Sequence, residues 1–167
     1  VRLAFAVAAH LEPEILVADE LVSALDVSVQ AQVVNLLLDL QERLGLTILF
    51  VAHDLRLVRH VSNRVAVIYL GRIVEIGDSE TVFRTPVHPY SKALLSAAPS
   101  LDPDDRGKAK RLQGELPSPL NIPSGCPFHQ RCSFAADRCK QERPELRSVA
   151  GRGDDACHYY EENTNAN

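Results

Sequence analysis

The sequence predicts an α/β fold, and three stretches carry that reading. EILVAD at 14–19 is a short apolar run ending in acids, which suits a strand buried on both faces of a parallel sheet. Behind Asp26, apolar residues recur at Val29, Val33, Leu36, Leu37, Leu40 and Leu44, a spacing of three and four that lines one face of a helix. LTILFVA at 46–52 is apolar and β-branched again, close enough behind the helix to complete a strand, helix, strand crossover.

In chain order, LAFAVAAHL at 3–11 is Ala- and Leu-rich and stops before Pro13, so it reads as the tail of a helix. The strand at 14–19 follows and ends at the C-terminal edge of its sheet. Asp26 is a suitable N-cap for the amphipathic helix, and Gly45 supplies its stop. Beyond the second strand, Asp54 can cap a short helix through Val61. RVAVIYL and RIVEIG then flank Gly71, a tight-turn residue for an antiparallel hairpin. Residues 78–98 hold two short helical patterns broken at Pro86 and Pro89. The charged stretch 99–111, LDPDDRGKAKR, reads as a linker. The remainder is rich in Pro, Gly and Cys, with too little periodic apolar sequence for an ordinary core, so it is expected to need a staple.

Composition narrows the function classes. Eighteen Lys and Arg against 22 Asp and Glu give a net charge of −4, without the basic excess of a protein that neutralises many phosphates. No nucleic-acid partner is expected. Apolar runs such as ILFVA at 48–52 fall far short of the roughly 20 residues of a membrane-spanning helix, so membrane contact is expected to run through a partner. The chain opens on Val1 with no charged n-region, apolar h-region and cleavage site ahead of the first motif, and reads as an internal piece of a longer protein.

The candidate chemistry sits at the strand ends. Asp19 and Glu20 put two carboxylates at the end of a buried strand, where loops of doubly wound sheets gather around ligands. A nucleotide-hydrolysing site needs one carboxylate on the magnesium side and another group to orient the attacking water, and these two fit those roles. A solvated strand end is the bland alternative. SALD at 23–26 follows directly, and His53 ends the next strand, where an adjacent parallel neighbour would bring it near Glu20. A histidine there can donate to a γ-phosphate oxygen.

At these residues the resemblance is plain. ILVADE resembles the Walker B segment of ATP-binding cassette proteins, SALD their D-loop and His53 their switch histidine, in matching order over residues 12–98. The resemblance implies the C-terminal part of a P-loop ATPase sheet with flanking helices. Asp19 would hold Mg2+, Glu20 would be the catalytic carboxylate and His53 the γ-phosphate sensor. Ser23 and Asp26 would belong to the nucleotide site, with Asp26 facing a partner subunit. VSVQAQVVNLLLDLQ, VAVIYLGRIVEIG, HPYSKALLSAAP and PSPLNIPSGCPFHQRCSFAADRC are similar to the oligopeptide/dipeptide/nickel import subfamily. That implies an ATPase that energises peptide import at the cytoplasmic face of the membrane, with permease subunits, a second ATPase subunit and, indirectly, an extracytoplasmic peptide-binding protein as partners. A partner-binding remnant and a non-transport cassette ATPase are the alternatives. The implied division is 1–98 for the ATPase part, 99–111 for the linker and 112–167 for the extension.

Three departures accompany the resemblance. Leu21 and Val22 stand where the family has Pro and Thr. RLAFAVAAHLEPEIL is more similar to polysaccharide- or teichoate-exporting cassette ATPases, with Val7 where peptide importers have arginine. The Gly-rich phosphate loop, the Q-loop and the signature motif are absent from these residues, so this piece by itself is expected neither to hold ATP well nor to hydrolyse it.

All four cysteines lie late in the chain, at Cys126, Cys132, Cys139 and Cys157. Their spacing is not the close pairing of common zinc modules, and without a sign of secretion a metal is expected before disulfides. Four thiolates can hold an iron–sulfur cluster or zinc. By resemblance, peptide-importer ATPases hold a [4Fe-4S] cluster here. Zn2+, with His129 and His158 as spare ligands, and reduced cysteines or disulfides stay open.

Overall fold

A computed structural model describes residues 15–19, 26–97, 115, 117–118 and 120–161. The chain forms two compact units that divide between Ser62 and Asn63. The helix expected at 3–11 and the linker expected at 99–111 lie outside the described residues.

The first unit begins with β1 (Ile15–Asp19), followed by α1 (Val27–Leu44), β2 (Thr47–Val51) and α2 (Leu55–Val61). β1 and β2 pair in parallel, in register from Ile15↔Thr47 to Asp19↔Val51, as the crossover pattern predicts. Both helices start on the expected caps. Asp26 Oδ1 accepts the amides of Ser28 and Val29, each at 3.0 Å, and Asp54 Oδ1 accepts those of Arg56 at 2.9 Å and Leu57 at 3.4 Å. Gly45 ends α1 in the left-handed region, φ 63°.

Two expectations about burial fail in this unit. Ala18 is fully buried, but Val17 is 57% exposed, so β1 is covered on one face only. Likewise the buried stripe of α1 is centred on Val34 and Leu37, whereas Leu36 and Leu44, which the periodicity assigns to the inner face, are exposed. Among the described residues of this unit, two helices accompany the parallel pair, and a parallel pair buries both faces only where both are covered.

The second unit is antiparallel. β3 (Arg64–Tyr69) and β4 (Arg72–Asp78) form the expected hairpin, joined by Leu70 (φ 47°) and Gly71 (φ 73°). Two successive positive φ angles match the strand twist, and Gly takes such an angle without the strain a Cβ brings. The register slips between Val67 and Ile68, and consecutive residues Val74 and Glu75 are both buried where strict alternation would expose one. Helices α3 (Ser79–Arg84) and α4 (Pro89–Ala97) follow; Pro89 is the first residue of α4, where its missing amide costs nothing.

The cysteine-bearing segment joins this hairpin. It contains a 3-10 turn at His129–Arg131, α5 (Asp137–Gln141), β5 (Arg147–Val149) and β6 (Gly153–Asp155), and the sheet runs β3-β4-β6-β5. β6 pairs antiparallel with β4, placing Glu75 opposite Asp155, and the Ala156 amide donates to the Val74 carbonyl at 2.9 Å. A shared core holds the parts together. Buried Tyr69, Val74 and Phe128 pack with Val67, Leu70 and Tyr90, and the Tyr69 ring lies 4.7 Å from Tyr90 and 5.3 Å from Phe128. The extension is therefore ordered partly by aromatic burial, which its sequence, lacking periodicity, does not announce.

Candidate functional site

Two places gather chemistry-bearing residues. The first is the C-terminal edge of the parallel pair. Because Asp19 pairs with Val51, both strands end level, and His53 stands in a bend two residues past Val51. It is exposed, and Asp54 beside it is committed to capping α2. Asp26 is exposed and spends one carboxylate oxygen on the amides of α1. Glu20, Ser23 and the side chain of Asp19 lie outside the described residues. The parallel pairing and the level strand ends are thus as the sequence predicts.

The second place is a pocket in the cysteine-bearing unit. Cys126, Cys132, Cys139 and Cys157 all line it, together with His88 and Phe128 among others. Four cysteines spread over 32 positions reach one pocket through main-chain contacts. The Cys126 amide donates to the Cys139 carbonyl at 2.8 Å, and the Ser124 hydroxyl donates to the Lys140 carbonyl at 3.1 Å. Gly125 permits this approach: its φ is +68°, and a Cβ there would run into the Cys139 and Lys140 carbonyls. On the other side, Arg147 donates to the carbonyls of Cys157 at 2.8 Å and His158 at 3.2 Å.

None of the four cysteines is in a disulfide. Burial raises the Cys126 thiol, pushes Cys132 up to about 11 and Cys157 up to about 12, so these three are neutral thiols near pH 7. Among the described residues no group of three or more His, Cys, Asp or Glu is arranged to hold a metal ion. The thiols converge on a pocket, then, without closing on a point. The donor set suits a four-thiolate group, but binding one requires loss of thiol protons. His129 and His158 also line the pocket, and both are partly buried, not simply solvated. One ring nitrogen of each lies near a main-chain carbonyl, His129 Nδ1 at 2.8 Å from that of Cys126 and His158 Nε2 at 3.0 Å from that of Glu142.

Behind the pocket lies a buried polar network that the motif reading misses. Glu75, 1% exposed, accepts the amides of Val87 at 2.8 Å and His88 at 3.1 Å. His88, 2% exposed, precedes α4, and its Nδ1 accepts the Tyr90 amide at 3.1 Å. Burial depresses the His88 ring to about 3, so it is neutral. Asp155 is pushed up to about 7 by its burial and then by the charge of Glu75, while the amides of Cys157 and Ala156 and the charge of Arg147 pull it down. The signal for Glu75 was present in RIVEIG, where a charge interrupts an apolar strand; nothing local marks Asp155.

A mixed α/β chain with a strand-end acid, a strand-end histidine and this C-terminal unit defines a class. Residues 74–139 match the family described as the oligopeptide/dipeptide transporter, C-terminal region. The chain is 58% identical over 148 residues to a protein of Brucella ovis named as a peptide import ATP-binding protein, which covers 89% of this chain and 47% of that protein. It is 54% identical over 161 residues to YkfD of Bacillus subtilis, named as an oligopeptide transport ATP-binding protein (95% of this chain, 49% of that one). It is 50% identical over 161 residues to the di/tripeptide transport ATP-binding protein DppF of Pseudomonas aeruginosa (96% and 50%). Residues 74–139 thus carry the pattern of that C-terminal region, and the chain as a whole is similar to proteins named as peptide-import ATP-binding proteins. It spans about half the length of the relatives it matches.

Proposed function

We propose that the chain is the C-terminal part of an ATP-hydrolysing subunit that energises peptide import. The observation that carries this reading is the level parallel pair of β1 and β2, which sets the ends of ILVAD and of the His53 strand on one edge; high identity to peptide-import ATP-binding proteins supports it. On this reading Asp19 holds magnesium, Glu20 polarises the attacking water and His53 donates to a γ-phosphate oxygen, while Ser23 and Asp26 belong to the loop at the nucleotide. Asp26 faces the second ATPase subunit with the carboxylate edge left over from its cap. No described helix is long and apolar enough to cross a membrane, and the reading puts the subunit peripherally at the cytoplasmic face, against permease subunits.

The test uses the importer whose ATPase subunit carries this sequence together with a phosphate-binding loop. Glu20→Gln should leave ATP binding intact and stop hydrolysis, because it removes the charge with little change of shape. His53→Ala should reduce turnover far more than nucleotide affinity. Normal turnover in Glu20→Gln removes that residue from the role, and equal losses of turnover and affinity in His53→Ala make the histidine structural.

The pocket supports a second element of the reading, a [4Fe-4S] cluster held by Cys126, Cys132, Cys139 and Cys157. When bound, it would supply a four-point clamp between β6, α5 and the 3-10 turn. Anaerobically prepared protein should then be brown and contain iron and acid-labile sulfide, and Cys132→Ser should lose the colour. A colourless protein with one tightly held Zn2+ would replace the cluster by zinc.

A further inference from the structure

We propose that Cys126 and Cys139 are a redox-closing pair: in the metal-free chain a small-molecule disulfide converts them into a protein disulfide, which shuts the thiol pocket to a four-thiolate group. The pairing stands on main-chain geometry, and only its consequence for metal rests on the reading of the pocket as a four-thiolate site.

The main chain brings the two residues together. The Cys126 amide donates to the Cys139 carbonyl at 2.8 Å. That bond, with the N–Cα bond at one end and the span from carbonyl oxygen to Cα at the other, holds the two Cα atoms within about 6.7 Å of each other. A disulfide spans roughly 4.4–6.8 Å between Cα atoms. Direction is satisfied as well, because both side chains line the same pocket. The contact continues next to the pair: the Ser124 hydroxyl donates to the Lys140 carbonyl at 3.1 Å, and Gly125 lies so near the Cys139 and Lys140 carbonyls that a Cβ would strike them. The other two cysteines are tied elsewhere. The Cys132 amide turns back to the His129 carbonyl at 3.3 Å, and the Cys157 sulfur accepts the Tyr159 amide at 3.4 Å while its carbonyl accepts from Arg147.

Exposure sets the order of events. Cys126 is half-buried and Cys139 is only 7% exposed, so a reagent meets Cys126 first. The Cys126 thiolate attacks one sulfur of the reagent, oxidised glutathione for instance, forming a mixed disulfide and releasing one thiol. Cys139, as its thiolate, then attacks the Cys126 sulfur and releases the second. Two protein thiols lose two electrons and two protons, and the reagent takes both up as two thiols. The bond withholds two of the four sulfur donors from a metal and shields both from irreversible oxidation to sulfinic and sulfonic acids.

The test treats the reduced, metal-free chain with oxidised glutathione at about pH 8, blocks the remaining thiols with iodoacetamide and maps the tryptic peptides without reduction. Arg131, Arg138, Lys140 and Arg152 part the four cysteines into four peptides, so each pairing has its own mass. The Cys126–Cys139 link should outnumber any other pairing about tenfold, because a misplaced pair stores strain. Cys139→Ser should leave Cys126 as the glutathione adduct. Gly125→Ala touches neither thiol but forces the two main chains apart, and should lower the link about tenfold. If that variant does not fold by circular dichroism, Ser124→Ala decides, with a fall of about threefold for one lost hydrogen bond. A different dominant pair, a mixture of pairs, or a link unchanged in the deciding variant overturns the proposal. In parallel, chain loaded anaerobically with Zn2+ or with iron and sulfide, then freed of excess, should form the link at least about tenfold more slowly than metal-free chain. An equal rate overturns the exclusion between bond and metal. A reduced chain that takes up neither metal sinks the four-thiolate reading, and the peptide map still decides the pairing.

Discussion

The two units of this chain gather their candidate functional residues in opposite ways. In the first, the chemistry-bearing residues are neighbours in sequence, in ILVADE, SALD and FVAHD, and the fold has only to end two parallel strands level. Its side chains are thinly covered: Val17 and Leu49 are each 57% exposed. In the second, residues 59 and 80 positions apart meet. Glu75 faces Asp155, and Phe128 packs on Tyr69. A motif needs little core to be recognised, whereas a pocket assembled from distant segments exists only as long as its core does.

The largest effect that can break this contrast is loss of the shared core. Phe128→Ala removes a side chain 2% exposed and in contact with Tyr69 and Tyr90, and should cost about 3–5 kcal/mol. All four tyrosines (69, 90, 159, 160) lie beyond Asn63 and the chain has no tryptophan, so circular dichroism in the tyrosine band of the near-ultraviolet reports this unit. A denaturation midpoint unchanged by that probe would mean the aromatic cluster does not hold the unit.

A second test uses pH. Asp155 is raised to about 7 in the fold from an ordinary 3.8, by burial first and Glu75 second, so its contribution is fully present at acid pH and is lost as pH rises through about 7. His88 is depressed to about 3, so its contribution is present above its ordinary 6.5 and is lost as pH falls toward 3. The unit should thus be most stable between those limits. Asp155→Asn should flatten the neutral limb and raise the melting temperature at pH 8 by several degrees. A variant with the wild-type profile would show that Asp155 does not titrate in this range.

In the first unit the effects should be smaller. Asp26→Ala removes two amide acceptances at the start of α1 and should cost about 1 kcal/mol, read by far-ultraviolet circular dichroism during urea unfolding. No change in helix stability would leave Asp26 free for the proposed subunit-facing role alone. Smallest of all, Leu36→Gln, at a position 55% exposed, should change stability by no more than about 0.5 kcal/mol. A large loss would show that the periodicity assigned Leu36 correctly and that its exposure is not what the unit experiences.

Local chemistry let the sequence by itself determine much of this protein. Asp26 and Asp54 are caps because a short carboxylate accepts amides two and three residues on, and Gly45 and Gly71 mark a helix end and a hairpin because those turns demand positive φ. The parallel pairing of ILVAD with TILFV follows from the intervening helix, and the resemblance to ATP-binding cassette proteins from motif order. Tertiary structure alone decided which stripe of α1 is buried, because periodicity names two apolar flanks and only packing chooses between them. It alone joined β6 to β4, set Glu75 against Asp155 and gave the cysteine segment a core in Phe128 and Tyr69. Those contacts span up to 80 residues, and no local preference records them: a long-range pair is selected by the burial it completes, which exists only after the chain has folded.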